Sequence, residues 1–300
     1  MSLTRNKGGW LLLMSMFVAI AFAPALYAGQ TASEGDPVPS GILAFSSSRT
    51  GNADIYIINA DGTGLVRITT SRAHESEPAW SPDGSRFVYE SERSGRWMLF
   101  TSTQYGEEET QLTTWTSWSA AWSPDGQWIA YTTGTAIGMI SSSSEDNQIL
   151  AQGGRCGLPA WSPNGQSLAF YSSREGNEEI YILRLEDGVI SRVTDNPAKD
   201  FAASWSPDGE RLVFASERDG DLEIYTIRID GSDLIQLTHN DVVDMLPAWS
   251  PDGEWIAFVS ERDGNPEIYI TSPDGAQTFR VTDSPGDNLY PAWKPIDDNE

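Results

Sequence analysis

Cysteine and histidine are almost missing from this chain of 300 residues, which holds one cysteine and two histidines. Cys156 cannot form a disulfide within the chain, so packing must stabilise the fold, and we expect this residue to be small and buried. His74 and His239 occupy equivalent loops of repeats that are not consecutive, whereas a metal ion needs both rings about 2 Å away. No acidic loop has the twelve-residue calcium pattern. We therefore predict no metal site and no cofactor.

Positive charge is also scarce. The chain has 19 lysines and arginines against 43 acidic residues, and its formal net charge is −24. A surface of this sign repels nucleic acid phosphates and anionic lipid headgroups. We therefore predict that nucleic acid is not a partner.

Long apolar sequence is confined to the N-terminus. Arg5 and Lys7 precede an apolar run over residues 10–23, and small residues that suit a cleavage site follow it. This order is typical of a secretory signal, and the run is short for a membrane span. We predict a signal peptide over 1–28, a disordered leader over 29–40, and export to the periplasm or cell exterior without stable membrane insertion after cleavage. Cleavage would remove two basic residues and no acid, so the net charge would change from −24 to −26.

One phrase, Ala-Trp-Ser-Pro-Asp-Gly or a close variant, occurs six times. Its tryptophans are Trp80, Trp122, Trp161, Trp205, Trp249 and Trp293, which are 42, 39, 44, 44 and 44 residues apart. Repeats with a period of about 40 to 45 residues are typical of propeller blades and solenoids. We expect the tryptophans to pack between neighbouring repeats, and their role to be structural.

Each repeat has the pattern of four short strands. Ser-Pro-Asp-Gly is typical of a tight turn, because Pro fixes φ, Asp bonds its own backbone and Gly accepts positive φ. In the fifth repeat an apolar strand at 212–214, a Gly-containing loop, a Glu-Ile-Tyr strand at 223–225 and a second Asp-Gly turn follow. A short strand ending in Leu-Thr completes the repeat. Since no helical period is sustained after the N-terminus, we predict an all-β fold.

The two ends of the repeat region complement each other. The sequence over 41–69 matches the second, third and fourth strands of a repeat, and 290–295 is a first strand with nothing after it. A ring in which the last strand completes the first blade leaves few open sheet edges. We predict a six-bladed β-propeller of four-stranded antiparallel blades over 41–296, closed in this way, and a polar tail over 297–300.

The repeat resembles the TolB-type β-propeller repeat, a relative of the WD-repeat blades. The residues that carry the resemblance are Trp-Ser-Pro-Asp-Gly, Ser-x-Arg-Asp-Gly-Asn, Glu-Ile-Tyr and Leu-Thr, over about 41–295. The third repeat departs from them, since residues 133–144 contain no Arg-Asp-Gly turn. TolB proteins also carry an N-terminal α/β domain, for which we expect no room here. The resemblance implies a role in envelope assembly with a peptidoglycan-associated partner.

The two faces of the predicted ring differ. The turn face carries the tight turns and hardly varies, whereas the variable face carries the loops after the second and fourth strands of each blade. Variation among repeats is where a scaffold can carry binding residues. The position five residues before each tryptophan should border the mouth of the central channel. The candidate binding residues are Glu75, Glu77, Arg155, Asp200, Asp244, Asn288 and Tyr290.

Two interpretations of these residues remain open. An Asp or Asn before a strand often accepts backbone hydrogen bonds within its own loop. The alternative is a polar mouth that binds a peptide, a sugar or a cation. We predict a non-catalytic binding module for a protein or peptide partner in the cell envelope, because no Gly-x-Ser-x-Gly motif occurs and nothing selects a catalytic carboxylate pair. The alternative is a carbohydrate-active propeller, a lyase or glycosidase, with a polysaccharide as ligand.

Overall fold

The computed structural model describes residues 39–93 and 95–296, and all regular secondary structure in them is β-strand. The 24 strands form six antiparallel sheets of four strands each, one sheet per blade. The prediction of an all-β, six-bladed propeller is confirmed. The predicted signal peptide and polar tail, and the leader up to residue 38, lie outside the described residues. Within residues 39–93 and 95–296 no helix has the length and apolar character needed to cross a bilayer.

In blades 2 to 6 the strands run from the inner to the outer edge in chain order, and in blade 1 the last strand of the chain is the inner one. Blade 1 contains β24 (Asn288–Trp293), β1 (Ile42–Ser47), β2 (Asp54–Asn59) and β3 (Val66–Arg67). Blade 2 contains β4 (Glu75–Trp80), β5 (Arg86–Arg93), β6 (Arg96–Thr103) and β7 (Thr110–Gln111), and blade 3 contains β8 (Trp118–Trp122), β9 (Trp128–Thr133), β10 (Ala136–Ser141) and β11 (Asn147–Gln152). Blade 4 contains β12 (Cys156–Trp161), β13 (Ser167–Ser172), β14 (Glu179–Arg184) and β15 (Ile190–Arg192). Blade 5 contains β16 (Asp200–Trp205), β17 (Arg211–Ser216), β18 (Glu223–Arg228) and β19 (Ile235–Gln236), and blade 6 contains β20 (Asp244–Trp249), β21 (Ile256–Ser260), β22 (Glu267–Thr271) and β23 (Thr278–Arg280).

The ring closes in blade 1, where the last strand of the chain pairs with the first. β24 is antiparallel to β1, with Trp293 opposite Leu43 and Asn288 opposite Ser47. The C-terminal strand therefore supplies the inner strand that the first repeat lacks, as the sequence predicts.

The hydrophobic core is divided into six clusters, and each lies between two neighbouring blades. The repeated tryptophans contribute to these clusters. Four of them also donate an indole hydrogen bond to an alanine carbonyl of the preceding blade: Trp80 to Ala292 (3.2 Å), Trp161 to Ala121 (3.1 Å), Trp205 to Ala160 (3.0 Å) and Trp293 to Ala248 (3.1 Å). The prediction that the tryptophans join consecutive blades is confirmed.

The Ser-Pro-Asp-Gly turns are held by their own side chains. In blade 5 the Ser206 hydroxyl donates to Asp208 Oδ1 at 2.6 Å, and the Glu210 amide donates to the same oxygen at 2.9 Å. Asn164 accepts the equivalent bond from Ser162 at 2.8 Å in blade 4. Because a neutral amide oxygen serves as well as a carboxylate, these aspartates act in the turn.

Candidate functional site

The inner strand of every blade contains a β-bulge. In β4 two residues, Glu77 and Pro78, lie opposite Tyr89, because the pairing shifts between Ser76 and Ala79. The other five inner strands show the same shift. The residue three before the tryptophan has a positive φ in all six: Glu77, Ser119, Leu158, Ala202, Leu246 and Tyr290. Since positive φ is unfavourable for residues other than glycine, the surrounding ring must hold each bulge in place.

The bulges surround the central channel. A cavity of about 150 Å³ is lined by both bulge residues of all six inner strands. The bulge position three before the tryptophan divides the channel into two halves. Blades 1, 2 and 3 contribute the polar residues Tyr290, Glu77 and Ser119, whereas blades 4, 5 and 6 contribute Leu158, Ala202 and Leu246.

Glu77 lies at the centre of the polar half. Its carboxylate accepts hydrogen bonds from the side chains of Ser119 and Tyr290. Burial raises the pKa of Glu77, and the two hydrogen bonds oppose that effect. The charge of Glu77 is the largest cause that raises the pKa of Tyr290 well above its usual value, followed by burial. The structure thus brings together two of the predicted site residues, Glu77 and Tyr290.

A second carboxyl group, that of Glu90, faces Glu77. Glu90 lies in β5 opposite Ser76 and is 7% exposed. Burial, followed by the charge of Glu77, raises the pKa of Glu90 well above its usual value. Glu90 is not among the binding residues predicted from the sequence. Its signal was available, because the same register position holds Ser46, Thr132, Tyr171, Ala215 and Val259 in the other blades.

Four predicted binding residues are buried instead of lining an open mouth. Glu75, Asp200, Asp244 and Asn288 are each 0% exposed. Each pairs with an arginine of its own blade that lies at the end of the second strand or in the loop after it: Arg93 with Glu75 at 2.7 Å, Arg218 with Asp200 at 2.9 Å, Arg262 with Asp244 at 3.0 Å, and Arg49 with Asn288 at 2.8 Å. The expectation that their side chains border an accessible mouth is wrong. They precede the bulge, so the strand directs them into the blade.

The arginine of the Ser-x-Arg motif organises this loop. Arg218 Nε donates to Ser216 Oγ at 2.8 Å, and its guanidinium lies 5.3 Å from the Phe214 ring centre and 4.7 Å from that of Tyr225. Equivalent stacking occurs for Arg49, Arg174 and Arg262. The motif is therefore a structural link between the inner three strands of a blade.

Blade 4 is the exception, because Cys156 stands where the other blades place an acid, asparagine or serine. Cys156 is 2% exposed, as its predicted burial requires, and burial raises the pKa of its thiol to about 11. Arg174 Nη2 is buried and lacks a hydrogen-bond partner in the described part of the chain. A thiol with this pKa is protonated at neutral pH, so Cys156 does not supply the missing negative charge.

The remaining candidates lie on the variable face. Arg155 is about half exposed and forms an ion pair with Glu178 at 3.4 Å. His74 is exposed and its Nδ1 accepts a hydrogen bond from the Ala53 amide at 3.3 Å, while His239 is exposed in the loop before blade 6.

The size of the channel limits its ligands. Small-molecule sites usually enclose about 300 Å³ or more, whereas this cavity measures about 150 Å³. Two adjacent carboxyl groups with raised pKa can share a proton or bind a positive group. The geometry therefore suits one cationic side chain or ion better than a sugar ring.

Sequence comparison decides the family of this propeller. The model of the TolB beta propeller domain matches residues 37–155, 119–233 and 201–299, which together span the whole ring. The chain belongs to the TolB β-propeller family. The family resemblance of the repeat motifs is thereby confirmed.

Individual TolB relatives match part of the chain. A TolB homolog of Chlorobaculum tepidum is 31% identical over 153 residues, which are 51% of this chain and 26% of the relative. The Tol-Pal system protein TolB of Bordetella pertussis is 28% identical over 154 residues, which are 49% of this chain and 35% of the relative. The matched part therefore spans about a third or less of the length of these curated relatives.

A solved TolB structure shares the fold. The crystal structure of TolB from Acinetobacter baumannii superposes with a TM-score of 0.78, at 20% identity, over 87% of this chain and 68% of that one. At this identity the likeness concerns the fold alone.

Proposed function

We propose that this TolB-like propeller is an exported, non-catalytic binding module that docks a protein or peptide partner of the cell envelope on its variable face. The observation that carries the proposal is the hydrogen-bonded pair of Glu77 and Tyr290 in the central channel, with the buried carboxyl group of Glu90 near Glu77. A positive charge beside the carboxyl groups of Glu77 and Glu90 would stabilise their ionised forms, so the site suits a partner that inserts a lysine or arginine side chain. Kinship with TolB supports an envelope partner, because relatives are named as Tol-Pal system proteins.

Electrostatics favour the same class of partner. The net charge is −24 for the full chain. A charge of this size attracts basic partners, and their association through exposed charges weakens as salt screens the field.

The test is affinity capture from the host's envelope extract with the full chain. We expect a protein that is captured by the wild type, released at high salt, and lost when Glu77 is changed to Gln. Glu210→Gln removes one acid on the turn face and is the matched control, which should retain the partner. The proposal would be contradicted if the same protein were captured by Glu77→Gln and retained at high salt.

A second candidate function, carbohydrate binding, is favoured by a cleft on the turn face. Between blades 2 and 3 a cavity of about 590 Å³ is lined by Trp122, Arg86, Asp83 and Asp125, among others. The Trp122 indole N–H is buried without a hydrogen-bond partner among the described residues. An aromatic ring beside carboxylates and hydroxyls in a cavity of this size suits a sugar. Envelope polysaccharide retained by the wild type and lost in Trp122→Ala would support this function instead.

A further inference from the structure

The outer half of each blade repeats one ionic arrangement. The third strand begins with a fully buried acid in four blades: Asp54, Glu179, Glu223 and Glu267. In three of these blades an arginine of the fourth strand pairs with the acid: Arg67 with Asp54 at 2.8 Å, Arg192 with Glu179 at 3.0 Å, and Arg280 with Glu267 at 3.3 Å. The arginine thus neutralises a carboxylate that water cannot reach.

Blade 5 keeps the acid and loses the arginine. Gln236 lies opposite Tyr225, the register that Arg192 holds opposite Tyr181. Blade 2 also has a glutamine here, Gln111, but there the position of the acid is taken by Met98, which Gln111 contacts through its amide at 3.2 Å. Glutamine therefore accompanies a neutral residue in blade 2, whereas in blade 5 it accompanies the buried carboxylate of Glu223.

A second exchange adds negative charge at the same place. In blades 4 and 6 an asparagine after the loop glycine donates to the buried acid: Asn177 Nδ2 to Glu179 at 2.9 Å and Asn265 Nδ2 to Glu267 at 3.1 Å. The same amides donate to two carbonyls of the next loop. Blade 5 has Asp221 after Gly220 instead. At this position blades 4 and 6 have an amide that donates hydrogen bonds to the surrounding oxygens, whereas blade 5 has a carboxylate, which can only accept them when ionised.

The loop of blade 5 supplies a third carboxylate. Oxygens of Asp219, Asp221 and Glu223 all lie within 4.8 Å of one another. In blades 4 and 6 the acids equivalent to Asp219, which are Glu175 and Asp263, share the arginine at 3.1 Å and 3.0 Å. The nearby Arg218 pairs with Asp200. Within residues 39–93 and 95–296 no ion pair reaches these three carboxylates, and the donors that do are neutral: Gln236 Nε2 donates to Asp219 and the Asn240 backbone amide to Glu223, each at 2.5 Å.

Buried polar atoms that lack partners point into this cluster. The Tyr225 side chain is 3% exposed and its hydroxyl, which lies beside Asp219, has no hydrogen bond of good geometry in the described part of the chain. Asp221 Oδ2 is likewise buried without a partner among the described residues. Burying such oxygens is costly unless a positive group meets them.

We propose that Asp219, Asp221 and Glu223 bind a calcium ion that takes the place of the arginine and the asparagine amide found in the other blades. Calcium binds carboxylate and carbonyl oxygens at about 2.3 to 2.6 Å, so two of its ligand atoms lie at most about 5 Å apart. The spacing in the cluster meets this limit. The site lies at the outer half of blade 5, separate from the channel, and does not depend on the proposed function.

The twelve-residue calcium pattern does not find this cluster, because Asp219, Asp221 and Glu223 are not followed by its glycine and terminal glutamate. This cluster is visible only when Gln236 is placed by strand register beside Glu223 and when Asp221 is aligned with Asn177 and Asn265.

The test is calorimetric titration of the full, metal-free chain with calcium chloride, beside two variants that restore the residues of the other blades. We expect one calcium site in the wild type, and at least tenfold weaker binding in Asp221→Asn and in Gln236→Arg. Both variants should have an unfolding temperature equal to or higher than that of the metal-free wild type, because they reduce the repulsion among the three carboxylates. Glu217→Gln, an acid of the same loop paired with Lys199, is the matched control and should bind calcium normally.

Three outcomes would overturn the proposal. Calcium binding could be absent at millimolar concentration, or it could survive both restoring substitutions. It could also be lost in Glu77→Gln and kept in Asp221→Asn, which would place the ion in the channel.

Discussion

Glu77 lines a narrow channel, and its charge acts on the buried carboxyl group of Glu90. Burial raises the pKa of both, and the charge of Glu77 adds to the effect at Glu90. A raised pKa means that the folded state holds its proton to higher pH than the unfolded state. Folding stability therefore falls as pH rises above the usual glutamate value of 4.5, since the folded protein must either keep the proton or bury a charge.

The first prediction concerns the variant Glu90→Gln, which removes the less exposed carboxyl group. The free energy of unfolding of the wild type should decrease relative to the variant as pH rises from about 4.5 to 8, because only the wild type carries the raised pKa of Glu90 in addition to that of Glu77. Urea denaturation at several pH values measures the difference. Glu92 is an exposed acid two residues further along β5, and the free energy of unfolding of Glu92→Gln should vary with pH as that of the wild type does. If the free energy of unfolding of Glu90→Gln also varied with pH as that of the wild type does, the raised pKa of Glu90 would be contradicted.

At the scale of the structural element, the bulge explains which site residues the sequence could place. Glu75, five residues before the tryptophan, and the nearby Glu77 are both predicted at the mouth, and alternation along a regular strand would put them on the same side. The bulge between Ser76 and Ala79 turns Glu77 into the channel and leaves Glu75 paired with Arg93. The six positive-φ residues, Glu, Ser, Leu, Ala, Leu and Tyr, give no local signal, although the residue after them is proline in four of the six bulges.

The Ser-x-Arg loops allow a comparison between blades. Arg218 neutralises the buried Asp200, whereas Arg174 faces Cys156. Arg218→Met should cost about 3 to 5 kcal/mol, because it leaves a buried charge unpaired. Arg174→Met should cost about 1 to 2 kcal/mol, which is its stacking on Phe170 and Tyr181.

Urea denaturation of both variants measures this difference. Adding Asp200→Asn to Arg218→Met should recover part of the loss, since it removes the unpaired charge. If Arg218→Met and Arg174→Met lowered the free energy of unfolding equally, the ion pair between Arg218 and Asp200 would not account for the stabilising effect of this arginine.

At the scale of the whole molecule, the repeat period and the incomplete first repeat were enough to predict the number of blades and the closing strand. Both depend on covalent order and edge pairing, which the sequence displays directly. The contacts inside the channel depend on six bulges meeting at one axis. They are therefore visible only once the ring is assembled.

Ring closure yields a further prediction. Deleting residues 287–300 removes β24, leaves β1 with an open edge and takes away the buried Trp293. The product should aggregate or unfold without cooperativity, as measured by urea denaturation and size-exclusion chromatography. Deleting only residues 297–300 is the control and should leave stability unchanged. A soluble, equally stable product of the longer deletion would refute closure through β24.

The central claim is that the variable face, and not the turn face, docks an envelope protein. The most direct measurement is photo-crosslinking of the full chain in the host's envelope, with a photoreactive residue at Lys199 or at Glu210. Both side chains are about half exposed, and they lie on the variable face and the turn face respectively. We predict one crosslinked protein from position 199, absent in the Glu77→Gln background, and none from position 210. Crosslinking from position 210 alone, or from position 199 regardless of Glu77, would contradict the claim.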